Sequence, residues 1–113
     1  MSKSPSERPR SKKARARLEA IDKAFAALAH EQRRHILLTL HFRGGSLSAG
    51  AIAERFSCAW PTTTRHLNVL VDASLISVER KGRERIYHLE RDSLQRAVGD
   101  WLSWFENDVA PPR

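Results

Sequence analysis

Apolar residues recur at helical spacing in the first half of the chain. Ile21, Phe25 and Leu28 lie at positions i, i+4 and i+7, which predicts an amphipathic helix over about residues 18–29. A second helix, ending near Phe42 before two glycines, is predicted by three more apolar residues: Ile36, Leu37 and Leu40. Each helix should bury one apolar face against the rest of a small core.

Two further helices are predicted from residues that favour helix initiation. Ser48 can cap a third helix, whose inner face would carry Ile52, Ala53 and Phe56. Pro61 lacks a backbone N–H, which suits the first turn of a helix, so a fourth helix is predicted over about residues 61–73. Its inward face is expected to hold Thr63, Leu67, Leu70 and Ser74. Its outward and flanking residues are polar or basic: Thr62, Thr64, Arg65, His66 and Asn68.

A β-hairpin is predicted after the fourth helix. Two runs rich in β-branched residues, 75–80 and 85–89, flank the tetrapeptide Lys81-Gly82-Arg83-Glu84, in which the glycine can adopt the positive φ of a tight turn. Four cations surround this turn and only two acids oppose them. The cations are Arg80, Lys81, Arg83 and Arg85, and the acids are Glu79 and Glu84.

The last predicted helix, about residues 92–109, has an unusually wide apolar face. That face comprises Leu94, Val98, Trp101, Leu102 and Phe105, widened by Ala97 and Trp104. Two tryptophans and a phenylalanine within two turns would leave a large exposed patch on a small domain. A second copy of the chain would cover it, and the alternative is that these residues complete the core of a single chain.

Charge is unevenly distributed along the 113 residues. The formal net charge is +7, but residues 1–17 carry seven basic residues and one acidic residue, so the remainder is close to neutral. This segment has no large apolar side chain, and we expect a disordered basic arm over 1–17 followed by one domain over 18–110. The arm could follow DNA phosphates, keep the protein soluble or be a cloning remnant. A mitochondrial presequence is a further alternative, but Pro5 and Pro9 oppose a helix there.

The sequence has no feature typical of a membrane or secreted protein. It contains no apolar run near the roughly 18 residues that cross a bilayer, and no secretory signal. Its single cysteine, Cys58, cannot form an intrachain disulfide. We therefore expect a cytoplasmic, nucleoid-associated protein.

Four segments together resemble the ArsR family of bacterial winged helix-turn-helix repressors. They are FAALAHEQRRHILLTL, SLSAGAIAERF, WPTTTRHLNVL and ASLISVERKGRERIYHL, and the resemblance covers about residues 21–109. The most specific pieces are Thr-Arg-His-Leu in the fourth helix, where the family commonly has Ser-Arg-His-Leu, and the basic-Gly-basic hairpin that ends in Ile86-Tyr87. The fold class expected is mainly α with a small β-hairpin, a winged helix-turn-helix.

The resemblance implies a homodimer that binds double-stranded DNA. Its fourth helix would enter the major groove and its hairpin would contact the flanking backbone or minor groove. The expected DNA-binding residues are Thr62, Thr64, Arg65, His66, Asn68, Lys81, Arg83 and Arg85. Arg65 is the expected base reader, because a guanidinium can donate two hydrogen bonds to guanine. The first and last helices would pair between subunits through Phe25, Leu28, Leu94, Val98, Trp101, Leu102, Trp104 and Phe105.

Three residues depart from the family pattern. Trp60 stands where a basic or polar residue is ordinary, and it could pack under the preceding turn or lie against deoxyribose at the groove edge. Ser74 stands where glycine usually follows the recognition helix, and a left-handed conformation there would cost about 1 kcal/mol. Ala51 replaces a glutamate that often completes the capping box with Ser48, so this helix start should be weaker.

Metal sensing and catalysis find little support in the residues. Residues 48–56 contain no Cys or His, the last helix contains no His, and the spacings of His30, His35 and His41 do not stack them on one face. Cys58 could be a redox-sensitive thiol or a buried structural one. The sequence contains no nucleophile-elbow motif, no phosphate-binding glycine loop and no metal-binding motif.

The predicted function is therefore a non-enzymatic, cofactor-free repressor that occupies a palindromic operator as a homodimer. The alternative is a winged-helix module that uses its tryptophan-bearing last helix to bind another protein. The sequence identifies neither the operator nor a small-molecule effector.

Overall fold

The computed structural model describes residues 11–56 and 59–106. Within those ranges five helices and three strands follow one another: α1 (Lys12–Leu28), α2 (Glu31–Phe42), β1 (Ser46–Ser48), α3 (Ala49–Arg55), α4 (Trp60–Asp72), β2 (Ile76–Lys81), β3 (Glu84–Leu89) and α5 (Arg91–Glu106). The mainly α architecture with a hairpin is as expected. Residues 57 and 58, the first ten residues and the predicted end of the last helix at 107–109 lie outside the described residues.

Helix α1 begins earlier than the sequence predicted. The Ser11 side chain accepts a hydrogen bond from the backbone N–H of Ala14 at 2.9 Å, which caps the helix. One turn later, a guanidinium nitrogen of Arg17 donates to an Asp100 carboxylate oxygen at 3.0 Å and ties α1 to α5. The expectation of a disordered arm is therefore wrong for residues 12–17, since lysine, arginine and alanine are good helix formers and the cap and ion pair support them.

The core lies where α1, α2, α3 and α4 meet the sheet. Its buried members are Ile21, Ala24, Ala27, Ile36, Leu37, Leu40, Ile52, Leu67, Leu70, Leu75, Ile76, Tyr87 and Ala97. Thr63 is also buried, at 1% exposure, and its hydroxyl donates to the carbonyl of Ala59 one turn earlier at 3.4 Å. A polar residue is thus accommodated on the inner face of α4, as its helical position predicted.

The sheet has the strand order β1-β3-β2 and is antiparallel throughout. The predicted hairpin is confirmed: Lys81 pairs with Glu84 around a two-residue turn, and Gly82 has a φ of 61° at the first turn position. Strand β1 was not predicted. It is only three residues long, so its sequence shows no detectable alternation of apolar and polar residues. Its one apolar residue, Leu47, lies opposite Tyr87 of β3.

Helix α4 ends in a left-handed residue. Ser74 has a φ of 63°, which is the strained, left-handed ending, and it is exposed rather than part of the inward face as predicted. The backbone N–H of Leu75 donates to the carbonyl of Leu70 at 3.0 Å, and that of Ser74 to Val71 at 2.9 Å. These two bonds form a Schellman motif, which turns the chain toward β2.

Candidate nucleic-acid interface

The first turns of α4, which follows α3 in the chain, face solvent. Arg65 and Asn68 are exposed there, and Thr62 and Thr64 are partly exposed. The first turn holds no acidic residue, and the N-cap residue Ala59 makes no side-chain hydrogen bond to it. The positive end of the helix dipole is therefore not offset by a local carboxylate, which favours an approaching anion such as a phosphate.

His66 does not belong to this exposed face. Its side chain is only 8% exposed, and its ring centroid lies 4.8 Å from that of His30 at the start of α2. Burial lowers the pKa of His66 from its ordinary value, and the nearby positive groups of His30, Arg33 and Arg65 lower it further. The predicted position of His66 at the flank of the outer face is corrected, because its ring lies against His30 between α4 and the start of α2; a contact of His66 with DNA stays a prediction.

The hairpin carries exposed cations near its turn, where the acid Glu84 also lies, opposite Lys81. Lys81, Arg83 and Arg85 are exposed. Glu79 accepts from Nε2 of His88 at 2.6 Å, and the Nδ1 atom of His88 hydrogen-bonds Ser46 at 2.6 Å. This cross-strand chain, which sequence reasoning missed, joins β2, β3 and β1 and engages the Glu79 carboxylate away from the tip.

Two arginines face each other across the hairpin. Arg80 is the register partner of Arg85, and both are exposed. Like charges directly opposite each other on neighbouring strands destabilise a sheet by a few tenths of a kcal/mol to about 1 kcal/mol. The arrangement is relieved when an anion lies between or beside the two guanidinium groups, which suits a phosphate backbone.

An uncovered apolar face runs along α1 and α5. Within the described residues, Ala97 is the buried residue of α5, whereas five large apolar side chains of α1 and α5 are exposed: Leu18, Trp101, Leu102, Trp104 and Phe105. Phe25 meets Trp101 edge to face at 5.1 Å, and Trp101 lies 4.9 Å from Phe105. The predicted interface residues Phe25, Leu28, Leu94 and Val98 are partly buried beneath this face. We call these residues the α1–α5 face.

The part of the chain that the structure describes holds neither a metal-binding cluster nor a membrane-spanning helix. Residues 11–56 and 59–106 contain no group of three or more His, Cys, Asp or Glu side chains that could hold a metal ion. None of the helices described is both long and apolar enough to cross a bilayer. Cys58, the candidate redox residue, lies outside these ranges.

Helices α2, α3 and α4 lie in a region that is similar to known helix-turn-helix proteins. A family described as a helix-turn-helix domain matches residues 28–79, from the end of α1 into β2. The transcriptional repressor SdpR of Bacillus subtilis (strain 168) is 38% identical over 87 residues, which cover 77% of this chain and 93% of that protein.

Solved structures share the fold. An ArsR-like transcriptional regulator from Rhodococcus sp. RHA1 has a TM-score of 0.68 and 27% identity, over 80% of this chain and 82% of that one. The homodimeric winged helix-turn-helix DNA-binding domain of Mb0332 from Mycobacterium bovis has a TM-score of 0.66 and 21% identity, over 95% of this chain and 98% of that one. The predicted winged helix-turn-helix fold is confirmed.

Proposed function

The chain belongs to the ArsR family of helix-turn-helix transcriptional regulators, and from this we propose that it represses transcription as a homodimer on a palindromic operator in double-stranded DNA. One observation carries the proposal. The exposed start of α4, with Arg65 and Asn68 outward and no acid in its first turn, is followed in the chain by a hairpin with exposed cations near its turn.

The residues divide into two roles. Arg65 reads a base edge, since a bidentate guanidinium contact to guanine discriminates by about 1 to 3 kcal/mol. Asn68, Thr62 and Thr64 add contacts to bases, phosphates or thymine methyl groups. The hairpin residues Lys81, Arg83 and Arg85 bind phosphates and supply affinity that depends little on sequence.

The α1–α5 face pairs two subunits. The exposed aromatic residues on α5 are the support for this step, together with the homodimeric state of the Mb0332 domain. A two-fold dimer places its recognition helices about 34 Å apart, in successive major grooves. Occupancy of such a site would exclude RNA polymerase. The protein acts in the cytoplasm, associated with the nucleoid, and has no catalytic role.

A second candidate function uses the same face. Because Trp104 and Phe105 are 77% and 70% exposed, α5 could instead hold a different protein. Light scattering on the purified protein separates the two. A homodimer has twice the chain mass, whereas a module that recruits another protein remains a monomer when purified alone.

The DNA proposal is tested by selecting fragments that bind from random duplex DNA and measuring their affinity by fluorescence anisotropy at several salt concentrations. We expect an enriched sequence with two-fold symmetry and an affinity that falls steeply with salt, with a slope set by the number of phosphates contacted. Equal affinity for selected and random duplexes would contradict sequence-specific binding, and no binding would contradict the proposal as a whole.

A further inference from the structure

Trp60 is a large aromatic residue at the very start of the recognition helix, and it is half-exposed. It is the first residue of α4 and 47% of its side chain is exposed. The other exposed tryptophans, Trp101 and Trp104, belong to the α1–α5 face, which a second subunit is proposed to cover. Trp60 lies outside that face, so dimer formation does not account for its exposure.

The surroundings of Trp60 suit contact with a nucleic acid. The next residue, Pro61, has no N–H, and the backbone N–H groups of Thr62 and Thr63 both donate to the carbonyl of Ala59 at 3.0 Å, which fixes the first turn. Thr64 lies one helical turn after Trp60, on nearly the same side of the helix; the residue is partly exposed, but its hydroxyl oxygen is buried without a hydrogen-bond partner. An aromatic ring is therefore held at a rigid helix start, beside the polar residues expected to face the duplex.

The chemistry of the indole selects among the possible contacts. Its ring is apolar and flat, and its N–H donates but cannot accept a hydrogen bond. Such a side chain packs on a deoxyribose or on the methyl group that distinguishes thymine in the major groove, while its N–H can donate to a phosphate oxygen. A base edge that offers only donors would be left unpaired.

We propose that Trp60 is a specificity-determining residue that contacts the duplex at the edge of each half-site and favours thymine at one position. This inference rests on the proposed function. It differs from the role of Arg65, because Trp60 discriminates through apolar contact and Arg65 through hydrogen bonds. Substitution of the two residues should therefore alter preference at different base positions.

Tryptophan fluorescence gives a direct readout of this contact. We expect the selected duplex to change the emission of the wild-type protein, and this change to be largely lost in Trp60→Phe. The control is Phe42→Leu, which alters an exposed aromatic residue on α2, outside the α1–α5 face, and keeps all three tryptophans. It should retain the change in emission on DNA binding.

Affinity and base preference give the second readout. Trp60→Ala should lower the affinity for the selected duplex about tenfold, which corresponds to about 1.4 kcal/mol, and should change the affinity for random duplex DNA less than twofold. Fragment selection repeated with Trp60→Ala should lose a thymine preference at one position of each half-site. Circular dichroism and light scattering on each variant verify the fold and the dimer.

The outcomes separate this inference from the proposed function. If the wild-type protein binds its selected duplex and Trp60→Ala keeps both the affinity and the thymine preference, the role of Trp60 is refuted and the repressor proposal stands. If the wild-type protein binds no duplex, both are refuted. Should Trp60→Ala fail to fold, Trp60→Phe decides, because unchanged emission behaviour in that variant refutes the contact.

Discussion

Replacing Ser74 by glycine should stabilise the protein. Ser74 has a φ of 63° and closes the Schellman motif at the end of α4. A left-handed conformation costs a residue with a Cβ atom roughly 1 to 2 kcal/mol. Glycine avoids that cost but loses about 0.4 to 1 kcal/mol through its greater freedom in the unfolded chain. The difference is a net gain in the free energy of unfolding of about 0 to 1.6 kcal/mol, with a midpoint of about 0.8 kcal/mol.

The assay is urea unfolding followed by circular dichroism, with every variant at one protein concentration, because the stability of a dimer depends on concentration. Ser74→Ala is the matched control. It keeps the Cβ atom and the strain, and since Ser74 is exposed its free energy of unfolding should stay within about 0.5 kcal/mol of wild type. Ser74→Asn should fall between the two, because asparagine tolerates the left-handed region better than serine.

The free energy of unfolding should therefore be highest for Ser74→Gly, intermediate for Ser74→Asn and lowest for Ser74→Ala. If Ser74→Gly is no more stable than Ser74→Ala, the left-handed conformation at this position does not destabilise the folded protein, and the prediction is refuted. A change in the denaturant slope rather than in the midpoint would indicate an effect on the unfolded state instead.

Three further predictions concern DNA binding, pH and assembly. Arg65→Ala should lower the binding free energy for the selected duplex by about 1 to 3 kcal/mol and relax the preference at one base position. Lys81→Ala should instead weaken binding to all duplexes alike and lower the slope of the salt dependence by about one. Equal effects of both changes on selected and random DNA, measured by anisotropy, would contradict the two roles. Because the folded-state pKa of His66 is depressed, the folded protein binds fewer protons than the unfolded chain, so its stability contribution is complete above about pH 6.5 and is lost as the pH falls below it. Urea midpoints at pH 7.5 and 5.5 should show this loss in wild type and a smaller one in His66→Gln; an equal loss in both would exclude His66 as a source. Phe105→Glu should produce monomers by light scattering, whereas Phe42→Glu, which alters an equally exposed residue on α2, should leave the dimer intact; a dimeric Phe105→Glu protein would refute pairing through α5.

Helical periodicity predicted most of the fold because the apolar stripes of α1, α2 and α4 are regular. The hairpin was predictable for a different reason, since Gly82 between two strand-like runs meets a local requirement for positive φ. The same kind of local reasoning identified the cost of a left-handed conformation at Ser74, but it did not decide that α4 would end in one. Strand β1 could not be found this way, because three residues carry no period and their pairing with β3 is a long-range contact.

The candidate interface was predictable only in part. Helical position separated Arg65 and Asn68, which are exposed, from Leu67, which is buried. It failed for His66, which is buried and whose ring lies against that of His30, the residue that precedes α2. The start of α1 was predicted too late, because residues 12–17 lack large apolar side chains and were therefore expected to be disordered. The Ser11 cap stabilises this start through a local hydrogen bond, which needs no apolar burial. The contacts of Arg65 and of the hairpin with DNA stay predictions.

The central position of β3 has a mechanical consequence. This strand is hydrogen-bonded to β2 on one edge and to β1 on the other, and β1 leads directly into α3. The base of the hairpin is thereby braced against α3, which limits how far the hairpin can move relative to the helices. A bound duplex then has to supply the flexibility, through its own twist and groove width. Operators should therefore share a common deformability at base pairs that no side chain reaches.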